Sequence, residues 1–289
     1  MDKIIKRGPI LYAIAIMAIG AENMLSGWVM ILDKRNFPGE AVIPVIPWVP
    51  AHSWMAYLTG MLLVIAGVAL AAKIRPRLTA ALLGILFLAF VVFLEGPRLF
   101  RLGTRTTFFE TVAIGGSALI LSGTVPFEPH SSWHLVLDEA VKSGRYLFAI
   151  SSIVFGIDHL LYLGFVASLV PWWIPWHSFW AFFTGVAFIA AGLSIGTKWA
   201  GRWAAMLVGV MFLIWFMVLH LPRALGFSAA AGKGAPLNPN EWSSAFIALG
   251  MCGGSWICAQ ALSETSCTAE ETVSVRGTYV AHAGKTGSR

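Results

Sequence analysis

The chain carries little charge for its length. Only 12% of its 289 residues are charged, whereas a soluble domain has roughly 25%. Hydrophobic types make up 57% of the residues, and the mean hydropathy is +0.75. A soluble fold of this size has too small a core to bury so many apolar side chains. The composition therefore excludes a disordered chain, a coiled coil and an ordinary soluble enzyme. It predicts an all-α, polytopic membrane protein.

Cysteine is also scarce. The three cysteines, Cys252, Cys258 and Cys267, form no CxxC pair and show no zinc-binding spacing. This excludes a disulfide framework and thiol–disulfide exchange chemistry. Cys252 and Cys258 fall inside an apolar segment, where small buried thiols are expected. The sequence therefore predicts no metal site, and it identifies no catalytic residue.

The positive net charge does not indicate a nucleic-acid partner. The charge is +6 and the isoelectric point is about 9.4. Lys and Arg stand in short clusters between apolar runs, as they do at the ends of membrane spans. The predicted partner is therefore the lipid bilayer, and no nucleic acid is expected.

Eight apolar stretches have the length of about 20 residues that a helix needs to cross a bilayer. They are 9–32, 52–72, 77–95, 106–123, 146–168, 177–197, 201–220 and 241–262. If the N-terminus is cytoplasmic, 13 of the 20 Lys and Arg residues lie inside and 7 lie outside. This excess predicts an integral protein of a bacterial-type cytoplasmic (inner) membrane with both termini cytoplasmic. The polar tail 263–289 is expected to be loosely ordered.

The chain also repeats itself. Residues 48–60 read WVPAHSWMAYLTG and residues 173–185 read WIPWHSFWAFFTG, with seven identities in 13 positions at an offset of 125. Three further pairs have the same offset of 125: Gly67 with Gly192, Lys73 with Lys198, and Arg77 with Arg202. In the first helix of each repeat the offset is 136, as between Gly20 and Gly156. The sequence thus predicts two four-helix repeats, 1–124 and 145–262, joined by a cytoplasmic linker, 125–144.

An even number of helices in each repeat constrains their relation. Both repeats must enter the membrane from the same side, so we expect a pseudo-two-fold axis along the membrane normal, not an inverted repeat.

The repeated motif resembles the DoxX-like membrane proteins. The resemblance rests on a Gly-x-acid in the first helix, a Trp-x-Pro segment opening the second, and the runs Ile65-Ala-Gly67 and Ile189-Ala-Ala-Gly192. It covers nearly all of residues 8–262, as two fused units. Some members resemble small subunits of a thiosulfate:quinone oxidoreductase. The resemblance therefore implies a four-helix unit, a possible quinone cofactor and possible partner subunits of a membrane complex.

The few ionisable residues of the spans define the predicted site, because such residues are costly in a membrane. At a rise of about 1.5 Å per residue, Glu22 and Asp158 both lie in the outer half of the bilayer. The other polar groups lie toward the same face. In the second repeat the set is Asp158, His159, His177, His220 and Arg223. In the first it is Glu22, Asn23, His52, Glu95 and Arg98, with Glu110 added.

The second repeat is the better site for a ligand, because neutral imidazoles suit a quinone or a metal. His177 and His220 are expected to meet at the outer face as headgroup partners, with Asp158 below them as a proton relay. Trp173 or Trp176 would form the wall. His159 points about 100° away from Asp158 on a helix and is not expected to share one site with it.

Simpler roles are also consistent with these residues. The acids suit hydrogen bonds between helices, the histidines suit caps of helix starts, and the tryptophans suit an interfacial belt. Arg98, three residues after Glu95, can pair with it. Because a carboxylate is costly in hydrocarbon, Glu22 and Asp158 are expected to face protein and not lipid. Gly60, Gly67, Gly185 and Gly192 are expected to let helices approach closely.

Three functions follow from the sequence. The first is a quinone-linked redox or respiratory accessory protein. The second is a non-catalytic subunit or scaffold, and the third, less favoured, is a small-solute pathway. Whether the protein is an enzyme stays open.

Overall fold

The computed structural model describes residues 2–26, 52–96, 104–124, 134–227 and 241–263. Within these ranges the regular structure is helical, without a strand. We number the eight long helices in chain order. They are α1 Gly8–Ser26, α2 His52–Ala71, α3 Pro76–Phe90, α4 Thr104–Thr124, α5 His134–Leu161, α6 His177–Thr197, α7 Gly201–Trp215 and α8 Glu241–Ser263. Shorter helices cover Asp2–Ile5, Leu163–Leu169 and Leu221–Ala224.

The described part of the chain contains eight helical segments long and apolar enough to cross a membrane. This confirms the predicted all-α membrane protein. Large apolar side chains remain exposed on the outer surface of the bundle, for example Ile65 on α2 and Leu207 on α7. Such a surface is suited to contact with lipid tails, which are as apolar as these side chains.

Some boundaries differ from the predicted ones. Helix α5 begins at His134, so the last part of the predicted linker 125–144 is helical. Charged residues interrupt its first three turns, so a search for apolar runs does not find them. The same helix ends at Leu161, because Tyr162 leaves the helical conformation before Leu163–Leu169. The predicted residues 27–32, the loops 33–47 and 228–240 and the tail 264–289 lie outside the described residues.

Glycines bring the first two helices of each half into close contact. By first and second half we mean helices α1–α4 and α5–α8. A Cβ on Gly20 of α1 would lie 2.6 Å from the carbonyl oxygen of Gly60 on α2. In the second half, a Cβ on Gly156 of α5 would lie 2.5 Å from the carbonyl oxygen of Gly185 on α6. The prediction that Gly60 and Gly185 allow close helix approach is confirmed.

A second kind of glycine contact joins the two halves. A Cβ on Gly116 of α4 would lie 2.8 Å from the carbonyl oxygen of Gly144 on α5. A Cβ on Gly8 of α1 would lie 3.0 Å from the carbonyl oxygen of Gly253 on α8. The first helix of each half therefore packs against the last helix of the other half.

Both halves depart from α-helical geometry at the same place. α3 continues into a π-helical segment, Val91–Glu95, and α7 continues into another, Phe216–His220. The two segments are 125 residues apart, as are the aligned motifs. π-Helical turns are rare and occur frequently at functional sites. Each segment ends on an ionisable residue, Glu95 in the first half and His220 in the second.

The Tyr12 hydroxyl gives a further test of the contact between helices. It donates a buried 2.7 Å hydrogen bond to the carbonyl oxygen of Ile114, which links α1 to α4. We expect Tyr12→Phe to lower the free energy of unfolding by about 1 kcal/mol, the usual value for one such bond. The measurement is the apparent melting temperature in detergent, with Tyr57→Phe as control because Tyr57 is about half exposed. An equal effect of both substitutions would contradict the role of this bond.

Candidate functional site

A cavity of about 690 Å³ lies between α4, α5, α6, α7 and α8. Its volume falls in the range of about 300–1,000 Å³ that is typical of small-molecule sites. Most of its lining is apolar and aromatic, including Phe155, Phe165, Phe188, Phe212 and Trp215. The cavity is therefore suited to a molecule that is mainly hydrophobic.

Asp158 is the most strongly held polar group of the wall. It is 5% exposed, which confirms that it faces protein and not lipid. Its Oδ1 accepts a hydrogen bond from Nη2 of Arg105, and its Oδ2 accepts one of 2.9 Å from the Thr106 hydroxyl. A buried carboxylate is stable when it is paired and hydrogen-bonded in this way. Since both oxygens have donors, the side chain is fixed in position.

Glu22 occupies the corresponding position of the first half. It is 8% exposed, and its Oε1 accepts a 2.8 Å hydrogen bond from the Ser243 hydroxyl of α8. Ser243 stands 137 residues after Thr106, so each acid binds a hydroxyl from the last helix of the other half. At the same offset, Trp242 stands where the second site has Arg105. The two halves therefore share the hydroxyl–carboxylate contact but differ in charge.

His159 lines the same cavity as Asp158. The prediction that these neighbours do not share a site was therefore wrong, because the cavity is wide enough to reach two faces of α5. The Nδ1–H of His159 donates a 2.8 Å hydrogen bond to the carbonyl oxygen of Phe155, since a carbonyl oxygen only accepts. The ring lies edge-on to Phe188, with 5.3 Å between the centroids. Its orientation is set by these two contacts.

Further polar side chains line this cavity, among them Glu110, Trp180 and His220, with the hydroxyl residues Tyr162, Thr184 and Ser244. The indole Nε1 of Trp180 is buried and has no hydrogen-bond acceptor among the described residues. A buried N–H donor without an acceptor costs about 1–3 kcal/mol. A ligand in the cavity that offers an acceptor to this donor would remove that cost.

A smaller cavity of about 310 Å³ contains the other predicted residues of the second half, His177, Trp173 and Arg223. Arg223 is held by Glu241: its Nε and Nη2 donate hydrogen bonds of 2.9 and 2.6 Å to the carboxylate. This bidentate geometry is the strong form of an ion pair. Arg223 therefore joins the end of α7 to the start of α8.

The predicted meeting of His177 and His220 at one site is not observed. His220 lines the large cavity and His177 the small one. Leu169, Val170 and Leu219 belong to both walls and lie between the two cavities. Apolar side chains therefore separate the two histidines.

Trp176 also differs from its predicted role. It is 76% exposed and lines neither cavity. It is the N-cap residue of α6, without a side-chain hydrogen bond, so His177 does not cap this helix.

The predicted residues of the first half are only partly described. Asn23 and Glu95 are buried, with 0% and 1% exposure. Helix α2 begins at His52, whose side chain lies outside the described residues, and so does the whole of Arg98. The predicted pairing of Glu95 with Arg98 stays a prediction.

Several polar residues of the large cavity were not predicted, among them Arg105, Thr106 and Trp180. Glu110 was predicted, but as part of the first-half set, whereas it lines the same cavity as Asp158. One signal was available for Thr106. Like Ser243, it is a hydroxyl residue near the start of the last helix of its half. The cavity contains residues from both halves, whereas the prediction placed it in one.

Among the described residues, no group of three or more His, Cys, Asp or Glu side chains is arranged to hold a metal ion. In comparisons with known proteins, neither a family model, nor a curated protein, nor a solved structure matches this chain.

Proposed function

We propose that this protein binds a quinone in the large cavity and acts as a quinone-linked redox or respiratory accessory protein. One observation carries the proposal: a cavity of about 690 Å³ with mainly apolar walls and a few polar groups lies among membrane-spanning helices. A quinone has this composition, since it combines an apolar ring and tail with two polar oxygens. The protein's part is to bind and orient the headgroup and to exclude water.

The polar groups of the cavity support a headgroup site. The Trp180 indole N–H is suited to donate to a quinone oxygen, and the Arg105 guanidinium has donors beyond the one that binds Asp158. His159, His220 and Glu110 lie in the same wall and are residue types that transfer protons. Asp158 is better assigned to positioning Arg105 than to proton relay, because Arg105 and Thr106 bind its two oxygens.

The proposal includes the membrane setting and the origin of the chain. We place the protein in a bacterial-type cytoplasmic membrane with both termini inside, as its Lys and Arg distribution favours. We also propose that it is a tandem duplication of a DoxX-like unit with the halves related by a two-fold axis. The recurring glycine contacts, such as Gly20–Gly60 and Gly156–Gly185, and the paired π-helical segments support this origin.

Filling the cavity tests the proposal. Ala181 of α6 lines the cavity and is 2% exposed. We expect Ala181→Phe to abolish the binding of a short-chain ubiquinone to the purified protein, because the added ring occupies the space of the headgroup. Binding is measured by equilibrium dialysis in detergent, and co-purified quinone by extraction and chromatography. An absorption spectrum of the unaltered protein would also detect quinone that is already bound.

The matched control is Ala190→Phe, because Ala190 lies on the same helix but on its exposed surface. It should bind quinone as the unaltered protein does. A folded, unaltered protein that binds no quinone would contradict the proposal. That result would favour the alternative, a non-catalytic subunit or scaffold of a membrane complex.

A further inference from the structure

His159 lines the large cavity, and its backbone contact fixes the hydrogen-bonding role of each ring nitrogen. The neutral ring carries one proton, and that proton lies on Nδ1 because Nδ1 donates to the Phe155 carbonyl oxygen. Nε2 is then an acceptor without a proton. The ring packs against Phe188 in a mainly apolar wall. A neutral His159 therefore has one acceptor, Nε2, left for a ligand.

A quinone and a quinol respond differently to an acceptor. The quinone has two carbonyl oxygens and no donor, so it gains nothing from Nε2 of His159. The quinol has two hydroxyl groups, and one of them can donate to Nε2. A donor in the wall, such as the Trp180 indole N–H, serves both forms, because a hydroxyl oxygen accepts as a carbonyl oxygen does.

The other acidic groups of the wall do not oppose this preference. Both oxygens of Asp158 already accept hydrogen bonds from Arg105 and Thr106. Glu110, when ionised, is also an acceptor only. Neither acidic group therefore supplies a hydrogen-bond donor to the ligand when Glu110 is ionised.

We infer that the site binds the reduced quinol in preference to the oxidised quinone, with His159 as the residue that sets the preference. The inference rests on the proposed function. It identifies the substrate form as a two-electron-reduced, hydroxyl-bearing ring.

The test compares both forms on the same protein. Short-chain ubiquinone and its borohydride-reduced quinol are dialysed separately against the purified protein in detergent, without oxygen. One additional hydrogen bond of about 1–1.5 kcal/mol corresponds to roughly tenfold tighter binding of the quinol. Equal affinities, or tighter binding of the quinone, would overturn the inference while leaving the proposed function intact. Binding of neither form would instead overturn the proposed function.

Two variants test whether His159 is the residue that causes the preference for quinol. His159→Phe keeps the ring against Phe188 but removes the acceptor, so the quinol-to-quinone ratio should fall toward one. Trp180→Phe should weaken both forms by a similar factor and keep the ratio, because the lost donor served both. A ratio unchanged in His159→Phe contradicts the assignment.

A ligand substitution makes the same test without altering the protein. The dimethyl ether of the quinol has the same ring and oxygens but no O–H donor. It should bind the unaltered protein with the affinity of the quinone. Binding as tight as that of the quinol would show that shape, and not a donated hydrogen bond, sets the preference.

Discussion

Gly156→Ala should lower the free energy of unfolding by about 3 kcal/mol, the upper part of the range for overpacked sites. The new methyl group would lie 2.5 Å from the Gly185 carbonyl oxygen and 2.9 Å from the Ile189 backbone nitrogen. Neither atom belongs to a flexible side chain, so α5 and α6 must move apart. The large cavity would open at the same time, since both helices line it. The measurement is the apparent melting temperature in detergent, followed by tryptophan fluorescence.

Gly196→Ala is the matched control for this substitution. It makes the same chemical change in α6, but the nearest atom to the new methyl group is the Ala149 Cβ at 3.8 Å, an ordinary contact. Alanine also favours a helix over glycine by up to about 1 kcal/mol. The control should therefore be unchanged or slightly more stable. If both variants melt at the same temperature, close packing at Gly156 does not limit stability.

Arg105→Met should have the second largest effect, a loss of about 2 kcal/mol in the free energy of unfolding. It removes a charged donor from Asp158, and hydrogen bonds to charged groups contribute about 1.5–3 kcal/mol. Breaking a fully buried pair costs more, but the Arg105 side chain is 39% exposed, which reduces the loss. Quinone binding should weaken together with stability, because Arg105 and Asp158 both line the cavity.

Two further variants serve as controls for Arg105→Met: a double variant that also changes Asp158, and a variant of an exposed ion pair. Arg105→Met with Asp158→Asn removes the charge that Arg105 compensates, so it should recover part of the lost stability. Lys142→Met breaks an exposed ion pair with Glu139 and should cost less than about 0.5 kcal/mol. A double variant less stable than Arg105→Met alone would show that the carboxylate matters for another reason.

The sequence predicted the fold well, because the signals of a membrane helix are local. A run of about 20 apolar residues predicts a spanning helix whatever the helix packs against, so the eight spans could be counted from the sequence. Gly60 and Gly185 were also assigned correctly, since a small residue in a membrane helix generally indicates close packing. The start of α5 at His134 was missed because charged residues interrupt its first three turns.

The site was harder to predict, because it depends on which helix packs against which. The sequence predicts that His177 and His220 lie toward the same membrane face, but it does not give the rotation of α6 and α7 about their axes. Arg105 and Thr106 are distant in sequence from Asp158 and reach it only because α4 packs against α5. Spacing within one half carries no information about such a contact between the halves.

The packing of α1 against α8 has a consequence for biogenesis. Ribosomes make α1 first and α8 last, so Glu22 enters the bilayer before Ser243 has been synthesised. Asp158 does not face this delay, because Thr106 precedes it along the chain. α8 is also the most enclosed of the eight spans, with 78% of its apolar stretch buried inside the protein. The insertion of the final helix therefore completes the first half of the molecule, and a ribosome that stops before α8 leaves a buried acid without its hydroxyl donor.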